Sequence, residues 1–261
     1  VKVNLVCGID IEGINEALLT KGVNPQKDRV LEIGAVMWDV EYQQPVKIIS
    51  ELINETDRLP ITEEVQDLTG LNDNIINKYG KKDEEIKQFI NELKALMEKA
   101  DFIMAHNGDN YDRPMLGAFF NRFGIALPET PWIDSTRDIE FPKPIIQKSL
   151  AMLEYSHGFI NPFPHRALTD VLSMLKIASN YEFDRIGQLA LSPKVLLVAD
   201  LKAPNWRNKD EVEEFNSIKN KVSKAKFKWN PDNKTWSKVF PKILLDEGKV
   251  RLDFEYSIKP L

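Results

Sequence analysis

The chain has 261 residues, with 40 Asp and Glu against 35 Lys and Arg for a net charge of −5, and 43% of it is hydrophobic. That is enough to close the core of one large domain, or of one domain plus a small second one, and it excludes a disordered chain. A single cysteine, Cys7, excludes a disulfide framework and a cysteine-based zinc site. No apolar run reaches membrane-spanning length, and the N-terminus lacks the basic-then-apolar layout of a signal peptide. The expectation is therefore a soluble, cytoplasmic protein that meets no membrane, with Val in place of Met at position 1 implying a trimmed start.

Residues 3–9 form a nearly continuous apolar run of the kind buried on both faces of a central strand, and the run stops at Asp10. Residues 29–40 and 45–53 predict two further strands joined as a hairpin through the polar turn at 42–44. Over 84–100 the apolar residues Ile86, Phe89, Ile90, Leu93, Leu96 and Met97 recur at helical spacing, with Asp83 as the predicted N-cap. A strand over 101–105 returns from that helix. The next helix spans 111–123 and is closed by Gly124. Trp132 and Ile133 predict a short strand, and helices fit 147–156 and 167–181. Strands followed by crossover helices after an opening hairpin indicate an α/β domain with a central mixed sheet and flanking helices.

Beyond Tyr181 the pattern changes. A strand at 195–200, a charged helix at 210–224, a hairpin in FKWNPDNKTWSKVF turning at 230–233, and a last strand at 250–257 predict a small α+β module. We place the domains at 1–185 and 193–261. Between 202 and 242 there are 11 Lys and Arg against 5 Asp and Glu, a local balance of +6. Such a run is most often a solvated face. The hairpin interleaves Phe227, Trp229 and Trp236 with Lys224, Lys226, Lys228, Lys234 and Lys238. Alternation puts Phe227 and Trp229 on one strand face and Lys226 and Lys228 on the other, so an apolar inside and a basic outside can coexist.

Three acidic motifs stand at the ends of predicted elements. Asp10 and Glu12 follow the buried strand two residues apart and so share a face, where two like charges repel unless a cation sits between them; hard oxygen donors favour Mg²⁺ or Mn²⁺. Taken alone, Asp-x-Glu is more often two solvated acids at a strand end. Asp112 in MAHNGDNYDRPML begins a helix, where a carboxylate is also a common partner of the helix dipole. His165 and Asp170 in HRALTDVLSML stand in a loop and at a helix start, positions that an ordinary loop histidine and a capping aspartate also fill.

In this order, GIDIEG, HNGDNYDRPML and HRALTD resemble the three motifs of the DEDD superfamily of 3′-to-5′ exonucleases, in its DnaQ-like, DEDDh branch marked by His-x-x-x-x-Asp. RVLEIGAV is similar to the second strand of that ribonuclease H-like fold, and PITEEVQDLTGL to its substrate-side segment. The likeness runs over about residues 3–181 and is nearest in character to small stand-alone exonucleases of bacteria or their phages. It implies that Asp10, Glu12, Asp112 and Asp170 bind two divalent ions, Mg²⁺ or Mn²⁺, and that His165 is the general base releasing nucleoside 5′-monophosphates. It also implies substrate contacts at Gly13, Ile14, Thr69 and Asn107, to which the basic module adds Lys226 and Lys228.

Two departures stand out. Gly13 occupies the place of a threonine in many relatives. The second motif has one residue more than its commonest form between Asn107 and Tyr111, which makes Asp109 a rival to Asp112. His106 reads as a loop-orienting residue and His157 as a surface one. The expected substrate is a DNA 3′ end, single-stranded, with RNA the closest alternative because nothing here reads a 2′-hydroxyl. A noncatalytic nucleic-acid-binding or adaptor protein is the rival from another class, and the C-terminal module could dock a protein partner.

Overall fold

In the computed structural model, which describes residues 1–17, 22–55 and 57–261, five strands form one mixed sheet: β1 (Leu5–Ile14), β2 (Arg29–Asp39), β3 (Gln44–Leu52), β4 (Phe102–Ala105) and β5 (Trp132–Asp134). Their order is β3-β2-β1-β4-β5, with β1, β2 and β3 antiparallel and β4 and β5 parallel to β1. β1 is central because its residues are apolar on both faces, as the sequence predicts. Cys7, Ile9 and Ile11 meet the helices Asp83–Met97 and Asp112–Arg122 on one side. Val6 and its neighbours Val36 and Met104 meet the helices Ala167–Ala178 and Phe183–Leu191 on the other.

The six apolar residues predicted on the helix after Asp83 are all buried. Its N-cap is Lys82 rather than Asp83, and Glu85 reaches back to accept from the Lys82 N–H at 3.2 Å. Gly124 has φ +69°, the left-handed end predicted for the following helix. Two short helices are unpredicted, Glu63–Thr69 within the expected substrate-side segment and Asp73–Tyr79 just after it; each begins on a side-chain N-cap, Thr62 and Asn72. Among the described residues no helix is long and apolar enough to cross a membrane.

The chain divides into two units, Val1–Ala190 and Leu191–Leu261. The expected domain end at 185 falls inside the helix Phe183–Leu191, because Phe183 and Ile186 bury with the core of the first unit. In the second unit β6 (Lys194–Ala199), β7 (Lys228–Asn230), β8 (Thr235–Pro241) and β9 (Tyr256–Pro260) form an antiparallel sheet of order β7-β8-β6-β9 packed on the helix Lys209–Lys224. The last strand lies later than the predicted 250–257. Val250, Leu252 and Phe254 alternate into the core as their pattern demands, but the ladder to β6 is made by the residues after them. A short helix, Lys242–Asp246, also intervenes unpredicted.

Candidate active site

Asp10 and Glu12 lie on the face of β1 turned toward the helix Ala167–Ala178. That helix can lie close because two positions on the sheet are glycine. A Cβ on Gly34, the register partner of Asp10, would stand 2.5 Å from the Ala167 carbonyl carbon and from the Leu168 nitrogen. A Cβ on Gly8 would meet Val171 and Leu175 at 2.8 Å. The helix start thus rests directly on the sheet beside Asp10, and Asp170 in its first turn comes to the same cleft.

Asp112 arrives from the other side as the first residue of its helix. It is buried, and its Oδ1 accepts from the Ile11 N–H at 3.1 Å. The amide between Asp10 and Glu12 in the chain therefore holds the third carboxylate in place. His165 and Asp170 are braced together: the His165 N–H donates to Asp170 Oδ2 at 3.2 Å, and Asn161 Nδ2 donates to Asp170 Oδ1 at 2.7 Å. His165 takes a left-handed backbone, φ +60°, and is exposed. One ligand atom from each of Glu12, His165 and Asp170 lies within 4.8 Å of the others. Asp10, Glu12, His106, Asn107, Asp112, His165 and Asp170 line one open cleft of about 540 Å³.

The acids strain against one another. Burial, followed by the charges of Asp112, Glu12, Asp170 and Glu32, holds the Asp10 carboxyl well above the usual range. Burial, then Asp170 and Glu32, pushes Glu12 up to about 7 despite the nearby Arg166. Burial raises Asp112 against the pull of the Ile11 amide, and raises Asp170 to about 6 against hydrogen bonds from His165 and Asn161. Lys148 is the one lysine or arginine lining the cleft among the described residues, and its Nζ donates to the Thr136 carbonyl at 2.5 Å. A dense set of carboxylate oxygens short of compensating charge is a donor set for hard divalent cations.

The remaining sequence candidates are placed as follows. Asp109 turns outward to Arg137 and Arg113 and does not line the cleft. Both ring nitrogens of His106 are engaged, by Ser135 Oγ and the Lys148 carbonyl, each at 2.8 Å, and burial lowers its pKa. His157 is likewise held, by the Leu153 carbonyl and the Tyr181 hydroxyl, so it is not the surface residue expected. Asn107 reaches the cleft with a left-handed backbone, φ +62°. Gly13 follows a register shift in β1, and a Cβ there would stand 2.7 Å from the Arg29 carbonyl. A threonine could not take this conformation of the strand unchanged.

Ile14 and Thr69 correct the expectation of direct contact. Ile14 is buried in a satellite core with Leu31, Leu71 and Ile76. Thr69 is buried with its hydroxyl donating to the Val65 carbonyl and accepting from the Leu71 N–H. Neither lines the cleft.

Glu32 was not singled out from the sequence. It is buried, opposite Glu12 in register, and accepts from Arg166 Nε and Nη2 at 2.8 and 2.9 Å and from the Ala167 N–H at 3.2 Å. This fork ties the residue after His165 to the central sheet. The available signal is the lone acid in the otherwise apolar run VLEIGAV that follows Arg29.

The sequence model of the RNase_T family, described as an exonuclease, matches residues 20–178. The match starts after Asp10 and Glu12, which β1 carries into the same cleft as the later motifs. No curated protein matches the chain. Among solved structures, the nuclease domain of 3′hExo, a DEDDh family member bound to rAMP, is similar with a TM-score of 0.53 at 17% identity, over 68% of this chain and 91% of that one. A 3′-exonuclease in a structure on 3′-end specific recognition of a histone mRNA stem-loop is similar with a TM-score of 0.50 at 18% identity, over 68% and 81% of the two chains. The zinc-bound ExoI–ssDNA complex of E. coli is similar with a TM-score of 0.55 at 14% identity, over 76% of this chain but only 48% of that one. These likenesses show the fold, and the family match covers more than half of the 261 residues: the chain belongs to the RNase_T exonuclease family.

Proposed function

We propose that the protein removes nucleoside 5′-monophosphates one at a time from the 3′ end of single-stranded DNA, using two divalent ions, Mg²⁺ or Mn²⁺, held by Asp10, Glu12, Asp112 and Asp170. The observation that carries this reading is the convergence of Glu12, His165 and Asp170 ligand atoms within 4.8 Å, in one cleft with Asp10 and Asp112. When bound, the ions supply Lewis acidity and positive charge for in-line displacement at phosphorus. The carboxylates hold that charge in place and lose their mutual repulsion in doing so.

His165 is the general base. It is exposed beside Glu12 and Asp170, and its backbone is fixed by the Asp170 carboxylate on one side and by the Arg166–Glu32 fork on the other. Its imidazole accepts the proton of the attacking water as the new P–O bond forms and the P–O3′ bond breaks; the departing 3′ oxygen takes a proton from solvent. An imidazole can take up a proton at neutral pH, which a lysine or arginine could not.

RNA is the second reading, favoured by the likeness to structures described with rAMP and with a histone mRNA stem-loop. Digestion of 3′- and 5′-labelled single-stranded DNA, duplex DNA and RNA, each with Mg²⁺, Mn²⁺ or EDTA, tests the proposal. Stepwise loss of the 3′ label from single-stranded DNA with either metal, and none in EDTA, is expected. Faster digestion of RNA at equal metal would shift the assignment to a ribonuclease, and no digestion of any substrate would leave a binding protein on this fold.

A further inference from the structure

Charge is polarised within the second unit. The helix Lys209–Lys224 opens on Asp210, Glu211, Glu213 and Glu214 and closes on Lys219, Lys221 and Lys224. The β7–β8 hairpin follows at once, and residues 224–241 hold five lysines and a single acid, Asp232. Lys238 is used internally: its Nζ donates to the Ala225 carbonyl at 2.8 Å and lies 4.8 Å from the centre of the Phe240 ring. Lys224, Lys226, Lys228 and Lys234 are exposed. Among the described residues, none of those four side chains makes a hydrogen bond or ion pair.

Within this basic end stands a pair of indoles. Trp229 and Trp236 are register partners across the hairpin, with ring centroids 5.7 Å apart and planes tilted by 50°. Trp236 packs partly against the core. Trp229 is 47% exposed, whereas Phe227, two residues earlier on the same strand face, is 4% exposed. Phe227 meets Phe254 edge-to-face at 5.3 Å and Phe240 at 6.5 Å, so the core is closed before Trp229 is reached. The hairpin thus holds a large aromatic surface half in water, backed by a second ring and bracketed by unpaired lysines. A separate groove of the unit is more acidic, with Asp200, Glu211, Glu214, Asp253 and Glu255 beside Lys202 and Lys221.

We propose that the Trp229–Trp236 pair is a base-stacking contact for single-stranded nucleic acid, with Lys224, Lys226, Lys228 and Lys234 meeting its phosphates. The choice of ligand rests on the nuclease reading above. Every base offers a π face, so an indole contact of this kind is tolerant of sequence, and lysines flanking it add a salt-dependent grip on the backbone. Free bases are required, which makes single strands the favoured form over duplex.

The test measures binding, not cleavage, and so fails independently of the nuclease reading. Full-length protein in EDTA is titrated against fluorescently labelled oligo-dT and oligo-U, with anisotropy and tryptophan emission as readouts. Saturation should quench tryptophan emission, and Trp229→Ala should weaken binding by about tenfold or more while Trp229→Phe keeps most of the affinity. Lys226→Glu with Lys228→Glu should reduce the slope of log affinity against log salt by roughly 1.4, since each single-strand phosphate contact contributes about 0.7. A folded Trp229→Ala protein with wild-type affinity overturns the proposal and leaves the pair to the core or to protein docking. If Trp229→Ala fails to fold, an unchanged salt slope in the lysine double variant overturns it on its own.

Discussion

Metal affinity should fall steeply as pH is lowered from about 8 to about 5.5, and the fall should be traceable to Glu12. Glu12 is held up to about 7 and Asp170 to about 6, both chiefly by burial. A divalent ion binds the ionised carboxylate, so below each pKa it must displace a proton, and affinity drops up to tenfold per pH unit for each such group. For Glu12 alone, a pKa about 7 makes the factor between about pH 8 and pH 5.5 roughly 30-fold, or about 2 kcal/mol. Asp170 is more open to solvent and its lower pKa leaves a smaller span, adding roughly threefold after allowance for screening. Calorimetric titration with Mn²⁺ at the two pH values, in buffers of different ionisation enthalpy, would measure both the affinity ratio and the protons released. Glu12→Gln should weaken binding at both values and remove the Glu12 share of the ratio, leaving the shares of Asp170 and of the more deeply buried Asp10 and Asp112. An affinity independent of pH over this range, with no proton release, would refute the reasoning. The metal-free protein carries the same shift with the opposite sense. Between pH of about 4.5 and 7 the folded state binds more protons at Glu12 than the unfolded chain, so its stability falls as pH rises through that window, by on the order of 3 kcal/mol.

Asp10→Ala should abolish hydrolysis while leaving the melting temperature of the metal-free protein equal or higher, because Asp10 is strained by four neighbouring acids; activity within tenfold of wild type counts against the metal site. His165→Ala should lower turnover by about 10²–10⁴-fold with Mn²⁺ affinity little changed, and His106→Ala should cost less; the reverse order would displace His165 from its role. Arg166→Ala strands the buried Glu32 and loosens the loop that carries His165, so it should destabilise by about 1–3 kcal/mol in thermal melts, with Glu32→Gln in the same protein recovering part of the loss. Gly34→Ala should lower the melting temperature and the activity together, since its Cβ meets the Ala167 backbone at 2.5 Å and no side-chain motion relieves that contact; wild-type values for both would mean that the helix does not rest there.

What was legible in the sequence is what rests on local pattern. The apolar run into Asp10, the helical period from Ile86 to Met97 and the hairpin of β2 and β3 each need only neighbours along the chain. The four carboxylates and His165 were visible because strand ends and helix starts are where such a fold delivers side chains, and the three motifs occur in order. What was not legible depends on partners far apart in sequence. Glu32 and Arg166 are 134 residues apart, and nothing near either announces the fork. Val250, Leu252 and Phe254 carry a strand's alternation but bury without a ladder, because β6 is already paired by residues 256–260. Ile14 and Thr69 lie in segments that flank the cleft in sequence, yet burial takes their side chains away from it.

The same contrast explains why the glycines matter more to this site than their chemistry suggests. Three elements have to bring like charges together, which costs free energy at every step, so the approach has to be fixed by contacts that do not depend on the acids. Gly8 and Gly34 provide it for Asp170: with no Cβ on either, the helix Ala167–Ala178 packs with Val171 and Leu175 at van der Waals range and its first turn beside Asp10. The Ile11 amide provides it for Asp112, as a backbone donor whose position β1 alone determines. The Glu32–Arg166 fork provides it for His165. Each support acts through backbone or through a residue outside the cluster. Acids so held stay close when unscreened, and burial first, with the neighbouring negative charges adding to it, holds their carboxyls above the usual range until a cation binds. Preorganisation of this kind puts the charge in place before substrate arrives, which is where electrostatic catalysis gains most.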